Sequence, residues 1–290
     1  MELYGFKGVS LNLFRDYLSD RTQVTVINNI FSETSFISCG VPQGSILGHL
    51  LFLLYINDFP NCNLLSDVRM YADDTNLTFA SKDPNELFSS LTHDLGNLKQ
   101  WLDSNRLSLN VLKTKYLFTG TRQKISLLPS DPRISLYGHS IERVNRYKCL
   151  GVQVDETLSW EDHISEVVGK VPKVLAALRR LRPIYPQSTL VTIYKSLILQ
   201  HLDYCSAVWG CIGNSLSQKL EKLQNRAGRI ITGSSWGASS APILHALKWD
   251  SLADRRAKQL KFLMFKTVNN LVPEYLSDKF ASINTMHAQA

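Results

Sequence analysis

Two short stretches of alternating side chains, Val68 to Ala72 and Thr75 to Ala80, are separated by nothing but Asp73 and Asp74. Val68, Met70 and Ala72 alternate with Arg69 and Tyr71, and Leu77 and Phe79 alternate with Asn76 and Thr78. Period two marks a half-buried strand, so the pattern predicts a hairpin joined by Asp73–Asp74. Adjacent acids at such a tip repel one another. Alone they are a solvated turn; in a site they offer the hard oxygen ligands that Mg²⁺ takes together with substrate phosphates.

The segments around this hairpin are mixed. Leu11, Phe14, Tyr17 and Leu18 share one face of a short helix after Ser10, a fitting N-cap. Thr22 to Ile30 and Thr34 to Cys39 are rich in β-formers and predict a hairpin around Phe31 to Glu33. Gly40-Val41-Pro42-Gln43-Gly44-Ser45 then leads into an apolar helix, Ile46 to Asn57, with Ser45 placed to cap it. Asp83-Pro84 starts a second helix as N-cap and N1, with Leu87, Leu91, Leu95, Leu98 and Leu102 as a core-facing stripe. Strands follow at Tyr116 to Thr119, Ile134 to Leu136 and Tyr147 to Val154, with a loop-like stretch from Gln123 to Arg133. From Trp160 the pattern is helical: about Asp162 to Leu181, Gln187 to Trp209, Ser215 to Thr232 and Ser251 to Asn270.

With 290 residues, 44% of them hydrophobic, the chain can bury a sizeable core. The longest apolar run, Ile46 to Ile56, is far shorter than the ~20 residues of a membrane-spanning helix, so no membrane is expected as a partner. The N-terminus has neither signal-peptide nor transit-peptide character. Five cysteines without a C-x-x-C spacing argue against a disulfide partner or zinc site and fit nucleus or cytoplasm. The net charge of +7 is concentrated: residues 170 to 232 hold ten Lys or Arg against Asp203 and Glu221, a local balance of +8. A cationic block on helices suits a phosphate backbone, or else forms an ordinary solvated face.

GVPQGSILGHLLFLLYINDFP, YADDTNLTF, LSLNVLKTKYLF and YKCLGVQVDETLSWEDHI follow one another in this order. Together they resemble successive motifs of reverse transcriptases from LINE-type retrotransposons, those without long terminal repeats, and look most like jockey-type elements. YKSLILQHLDYCSAVWG, LEKLQNRAGRIITG and FKTVNNLVPEYL are similar to the thumb and post-thumb of such proteins, so the resemblance runs from about Glu2 to Phe280. It implies an α+β fold. Residues 1–158 would be an incomplete right-hand polymerase palm, an antiparallel sheet with the YADD hairpin and helices on one face. Residues 159–290 would be an all-helical thumb and post-thumb region.

The resemblance also assigns roles. Asp73 and Asp74 would be catalytic metal ligands, Asp73 the more important, and Lys113 would serve the pyrophosphate side. Tyr71 and Ala72 would line the primer terminus, and Pro42, Gln43, Gly44 and Ser45 the template and incoming nucleotide. Leu150–Gly151 corresponds to the primer grip. Lys170, Lys173, Arg179, Arg180, Arg182, Lys219, Lys222, Arg226 and Arg229 would face the nucleic-acid backbone. The implied cofactor is Mg²⁺, two ions in the intact family with Mn²⁺ as substitute; the implied partners are RNA template, DNA primer and deoxynucleoside triphosphates. The chemistry is in-line attack of a primer 3′-hydroxyl on an α-phosphate.

The family's further metal-binding aspartate, in a motif like FDTV, would stand before Leu3-Tyr4-Gly5-Phe6-Lys7-Gly8 and is absent, as are the fingers. His49 occupies a position where the family has proline. The sequence therefore leads to the expectation of a truncated reverse transcriptase fragment, inactive by itself. The alternative is a nucleic-acid-binding remnant or degenerate element copy.

Overall fold

The computed structural model describes residues 1–42, 44–129 and 134–280. Their packing divides into two compact units. The first contains Met1–Asn110 and the strand pair ending at Ser140; the second contains the other described residues, from Val111 and again from Ile141 onward. This partition by packing is of a different kind from the boundary expected at residue 158. The fold is α+β. Among the described residues the strands pair two by two, five pairs antiparallel and one parallel, the latter joining Lys115–Tyr116 to Glu142–Arg143. Ribbons thus stand where the sequence suggests a sheet, because most strands are two residues long and offer no ladder to extend.

In the first unit, a helix at Gly8–Leu18 begins ahead of the anticipated start, leaving Ser10 inside it and Lys7 at the N-cap. Phe14 is buried, with Phe6 edge-on at 5.0 Å. The next hairpin pairs Thr22–Gln23 with Ser35–Phe36 and Val26–Ile27 with Ile30–Phe31. Its tip is Asn28–Asn29, not Phe31 to Glu33. Both asparagines take positive φ, 49° and 64°, and asparagine tolerates this region better than other residues bearing a Cβ.

Ser45 caps the Ile46–Tyr55 helix as anticipated, its hydroxyl accepting from the Gly48 amide at 3.0 Å. That helix is apolar, yet of its residues only Gly48 is buried, and Ile46 is 94% exposed. Asp83 caps the Pro84–Ser104 helix through the Asn85 amide at 2.9 Å. Leu95, Leu98 and Leu102 bury the expected stripe, while Leu87 and Leu91 are half-buried. The buried Asp94 was not anticipated. It accepts from the amides of Leu65 at 2.8 Å and Ser66 at 2.9 Å and from the Ser66 hydroxyl, tying down the approach to the acidic hairpin.

The second unit is built on an apolar seam between two amphipathic helices, Glu161–Leu181 and Asn214–Thr232. Ile164, Val167, Val171, Leu175 and Leu178 recur at helical spacing and share a core with Leu216, Leu220, Leu223, Ala227 and Ile230. A Cβ at Gly228 would stand 2.9 Å from the Ile243 side chain, so glycine lets the Ser240–Leu247 helix approach. The predicted Gln187 to Trp209 helix is broken. Gln187–Tyr194 passes through a π-helical turn, Lys195–Leu199, into Gln200–Asp203; Tyr204 and Cys205, the latter at φ 51°, then redirect the chain into Ser206–Trp209. Ser240–Leu247 and the short Arg122–Ser126 helix, the latter in a stretch expected to be loop, were not anticipated.

Burial alone would raise the Asp94 carboxyl, but the Ser66, Leu65 and His93 hydrogen bonds outweigh it and hold the pKa below its ordinary value. A lowered folded pKa contributes stability that is complete above the ordinary carboxylate range and is lost as pH falls through the folded value. Asp94→Ala should cost about 2–4 kcal/mol in urea unfolding at neutral pH, because buried amide donors lose their acceptor. The deficit should shrink on acidification.

Candidate nucleic-acid interface

The acidic hairpin pairs Asp67–Tyr71 with Asp74–Thr78, with Tyr71 opposite Asp74. Its two-residue turn is therefore Ala72–Asp73, not Asp73–Asp74. Two-residue hairpin loops need a positive φ at their first turn position, and Ala72 supplies it at 52°. That conformation is uncommon for a residue with a Cβ, so the tip holds local strain. Asp73 sits at the apex and Asp74 opens the returning strand. Tyr71, Ala72, Asp73 and Asp74 are all exposed. Among the described residues no group of three or more His, Cys, Asp or Glu is arranged to hold a metal. By donor chemistry the pair fits one Mg²⁺ completed by water and phosphate oxygens; it does not by itself fit a second ion.

Pro42, Gly44 and Ser45 form the approach to the Ile46–Tyr55 helix, and Gln43 lies outside the described residues. Gly40 and Gly44 have φ of 79° and 77°, and the Arg21 guanidinium binds the Gly40 carbonyl. A Cβ at Gly48 would lie 2.9 Å from the Ser45 hydroxyl oxygen, so the cap and the glycine require each other. His49 is exposed on this helix.

The other predicted residues belong to the second unit. Lys113 is exposed, just ahead of Lys115–Tyr116, where Lys115 pairs with Glu142. The expected strand Tyr147 to Val154 is instead a hairpin, Arg146–Cys149 with Val152–Asp155, turning at Leu150–Gly151 with φ of 44° and 85°. Ion pairs fasten it to the Glu161–Leu181 helix, Arg146 to Asp162 at 3.1 Å and Lys148 to Glu166 at 2.6 Å. Glu166 also binds Lys170 at 2.7 Å, and the hydrogen bonds from Lys148 and Lys170 pull its carboxyl down to about 2. Buried His163 lies beneath, its Nδ1 accepting from the Gln153 amide at 3.4 Å; burial lowers its pKa.

Tyr204 holds the turn itself. Its hydroxyl donates to the Leu150 carbonyl at 2.7 Å, and its ring lies 3.4 Å from where a Gly151 Cβ would be. The buried Trp209 indole donates to the Tyr204 carbonyl at 2.8 Å, which fixes the tyrosine after the π-helical turn. Nothing in the sequence signals this link: Tyr204 lies 54 residues from Leu150 and looks like one more position on a helix.

Lys170, Lys173, Arg179, Arg180, Arg182, Lys219 and Lys222 are exposed, Lys170 within its ion pair. Lys219, Lys222, Arg226 and Arg229 recur at steps of three and four, a stripe opposite the buried face of their helix. Arg226 and Arg229 are half-buried. Arg226 lies 5.7 Å from the Trp236 ring centroid, and Arg229 donates twice to the Ala238 carbonyl, at 3.0 and 2.9 Å. Trp236 was not singled out from the sequence. Its neighbours Ser235 and Gly237 disguise it as ordinary loop.

An exposed pair of carboxylates at a hairpin tip in the first unit, and exposed cations on the helices of the second, are chemistry that suits a divalent metal and a phosphate backbone. The chain belongs to the reverse transcriptase (RNA-dependent DNA polymerase) family, whose sequence model matches residues 3–154. Its relatives include the RNA-directed DNA polymerase from mobile element jockey of Drosophila melanogaster, 28% identical over 286 residues, covering 94% of this chain and 30% of the relative. The probable RNA-directed DNA polymerase from transposon X-element of the same species is 25% identical over 250 residues, covering 83% of this chain and 27% of the relative. That from transposon BS is 30% identical over 233 residues, covering 76% and 25%. The resemblance to LINE-type elements is borne out. The chain spans under a third of the length of these relatives. No solved structure matches it significantly. Among the described residues no helix is long and apolar enough to cross a membrane, and Cys39, Cys62, Cys149, Cys205 and Cys211 are unbridged.

Gly151→Ala forces a Cβ into positive φ against the Tyr204 ring and should destabilise the chain by about 1–2 kcal/mol. Tyr204→Phe, losing one hydrogen bond, should cost about 1 kcal/mol. Urea unfolding of both variants checks the order. Glu166 should titrate near 2 in carboxyl-detected NMR. Its contribution to stability is complete above the ordinary glutamate range and lost as pH falls toward 2, so Glu166→Gln should weaken the chain at neutral pH and converge with wild type in acid.

Proposed function

We propose that this chain forms the primer- and template-holding part of a LINE-type reverse transcriptase, with palm residues 1–158 and thumb residues 159–290. The observation that carries the reading is the family match across residues 3–154, within which Asp73 and Asp74 occupy an exposed hairpin tip. In this reading Asp73 and Asp74 hold Mg²⁺, with Mn²⁺ as substitute, and Tyr71 and Ala72 border the primer terminus. Pro42, Gln43, Gly44 and Ser45 meet the template and incoming deoxynucleoside triphosphate, and Lys113 faces the leaving pyrophosphate. Leu150–Gly151, steadied by Tyr204, supports the DNA primer, and the exposed cations neutralise phosphates of the template–primer duplex. When bound, the metal stabilises charge on the entering and leaving oxygens. The protein's own share is orientation: a strained turn that presents carboxylates, and a clamped turn that presents a primer support.

The carboxylate pair by itself suits one ion, and the intact family's chemistry uses two. For that reason we propose that the isolated chain holds nucleic acid without extending a primer. The second reading, a binding remnant of a degenerate element, is favoured by the same observation, that no third acid, histidine or cysteine joins the pair among the described residues.

Primer extension on poly(rA)/oligo(dT) with Mg²⁺ or Mn²⁺ should give no product above that of an Asp73→Ala/Asp74→Ala variant. Binding of the same duplex should weaken steeply with salt, log K falling by about 0.9 per phosphate neutralised for each tenfold rise in salt. Extension abolished by the double substitution would overturn the inactivity. Absence of duplex binding would overturn the nucleic-acid reading.

A further inference from the structure

The loop after the Asn214–Thr232 helix presents Trp236 with 71% of its surface exposed, whereas the other four tryptophans are buried or half-buried. An indole left in water forgoes the stabilisation that burying it would bring. The loop that carries it is clamped. Arg229 grips the Ala238 carbonyl, the Ser234 amide donates to the Arg229 carbonyl at 3.1 Å, and the Ala238 amide donates to the Ser235 carbonyl at 3.1 Å. Gly233, at φ 73°, leaves the space of its missing Cβ to the Arg182 guanidinium.

The surroundings are cationic. Arg226 stands over the indole, and Lys222 and Lys219 continue the same helical stripe. Lys219 to Arg226 spans about 10 Å along the helix axis. An apolar protein partner would gain little here, since exposed Ser235 and Gly237 flank the ring and cations line its approach. A polyanion with free aromatic faces matches both features.

We infer that Trp236 is a stacking platform for an unpaired nucleobase, with the single strand's phosphates running along Arg226, Lys222 and Lys219. The inference rests on the nucleic-acid reading above and adds to it a base-stacking contact for unpaired strand, beside cations which that reading also gives to the duplex. Bases inside a duplex are stacked on both faces and have none to offer, so the contact discriminates single strand from duplex.

The test uses the 290-residue chain, with fluorescence anisotropy of labelled oligo(rU), oligo(dT) and a blunt duplex of equal length. A length of about 12 nucleotides lies within the range of known single-strand sites. Trp236→Ala should weaken single-strand binding about tenfold and duplex binding less than twofold, while Trp236→Phe retains most of the affinity. Lys219→Glu/Lys222→Glu should weaken single strand and flatten its salt dependence. The two single strands report whether ribose matters; equal binding is expected for a contact made to a base face. Because Trp236 is exposed, its substitution should leave the circular dichroism and unfolding midpoint unchanged. Equal weakening of single strand and duplex by Trp236→Ala, or no weakening of either, overturns the stacking site while the duplex-holding reading stands. Failure of wild type to bind any of the three overturns both.

Discussion

Burial of the Ile164, Val171, Leu175 and Leu178 stripe in a core shared with Leu216, Leu220 and Ala227 is the interaction on which the second unit depends. Each large aliphatic side chain removed from water there contributes about 1.5–3 kcal/mol. The placement of charge follows from it. Once those faces are committed inward, Lys170, Lys173 and Arg180 on one helix and Lys219 and Lys222 on the other can lie only outward. The basic surface is thus the reverse side of a hydrophobic seam. The basic footprint is made by side chains that stay in water.

Positive φ recurs at the points where the chain presents itself. Ala72 turns the acidic tip, Leu150 and Gly151 turn the Arg146–Asp155 hairpin, and Cys205 redirects the segment that carries Tyr204. Such conformations persist only where the surroundings overdetermine them. Around Leu150 the restraint is explicit: a tyrosine hydroxyl on the carbonyl, a ring against the glycine, and two ion pairs from the hairpin to the long helix. The helical seam is therefore also the foundation of the turn.

Features governed by neighbouring residues were legible in the sequence. Ser45 and Asp83 cap the helices they were expected to cap, because capping is settled within three residues. The leucine stripe of Pro84–Ser104 and the amphipathic faces of the two long helices follow from periodicity. Turn positions were less legible. The first hairpin turns at Asn28–Asn29 and not at the expected Phe31 to Glu33. The acidic turn lies one residue before the expected Asp73–Asp74, since alanine, which seldom takes positive φ, gives no turn signal. Long-range contacts left no trace. Asp94 binding the Leu65 and Ser66 amides, and Tyr204 binding Leu150, depend on tertiary approach across 28 to 54 residues. Of the candidate site, the motif residues stand out in the sequence by their order along the chain. The residues that steady them do not.

The Ile46–Tyr55 helix keeps Ile46, Leu50 and Leu53 in water while the chain is folded. Apolar surface hydrated in the native state adds to that state's heat capacity, so less remains to be added on unfolding. Calorimetrically this flattens the dome of stability against temperature. The chain loses less stability on cooling than a fully covered domain of its length would, and its enthalpy of unfolding changes more slowly between cold and warm conditions.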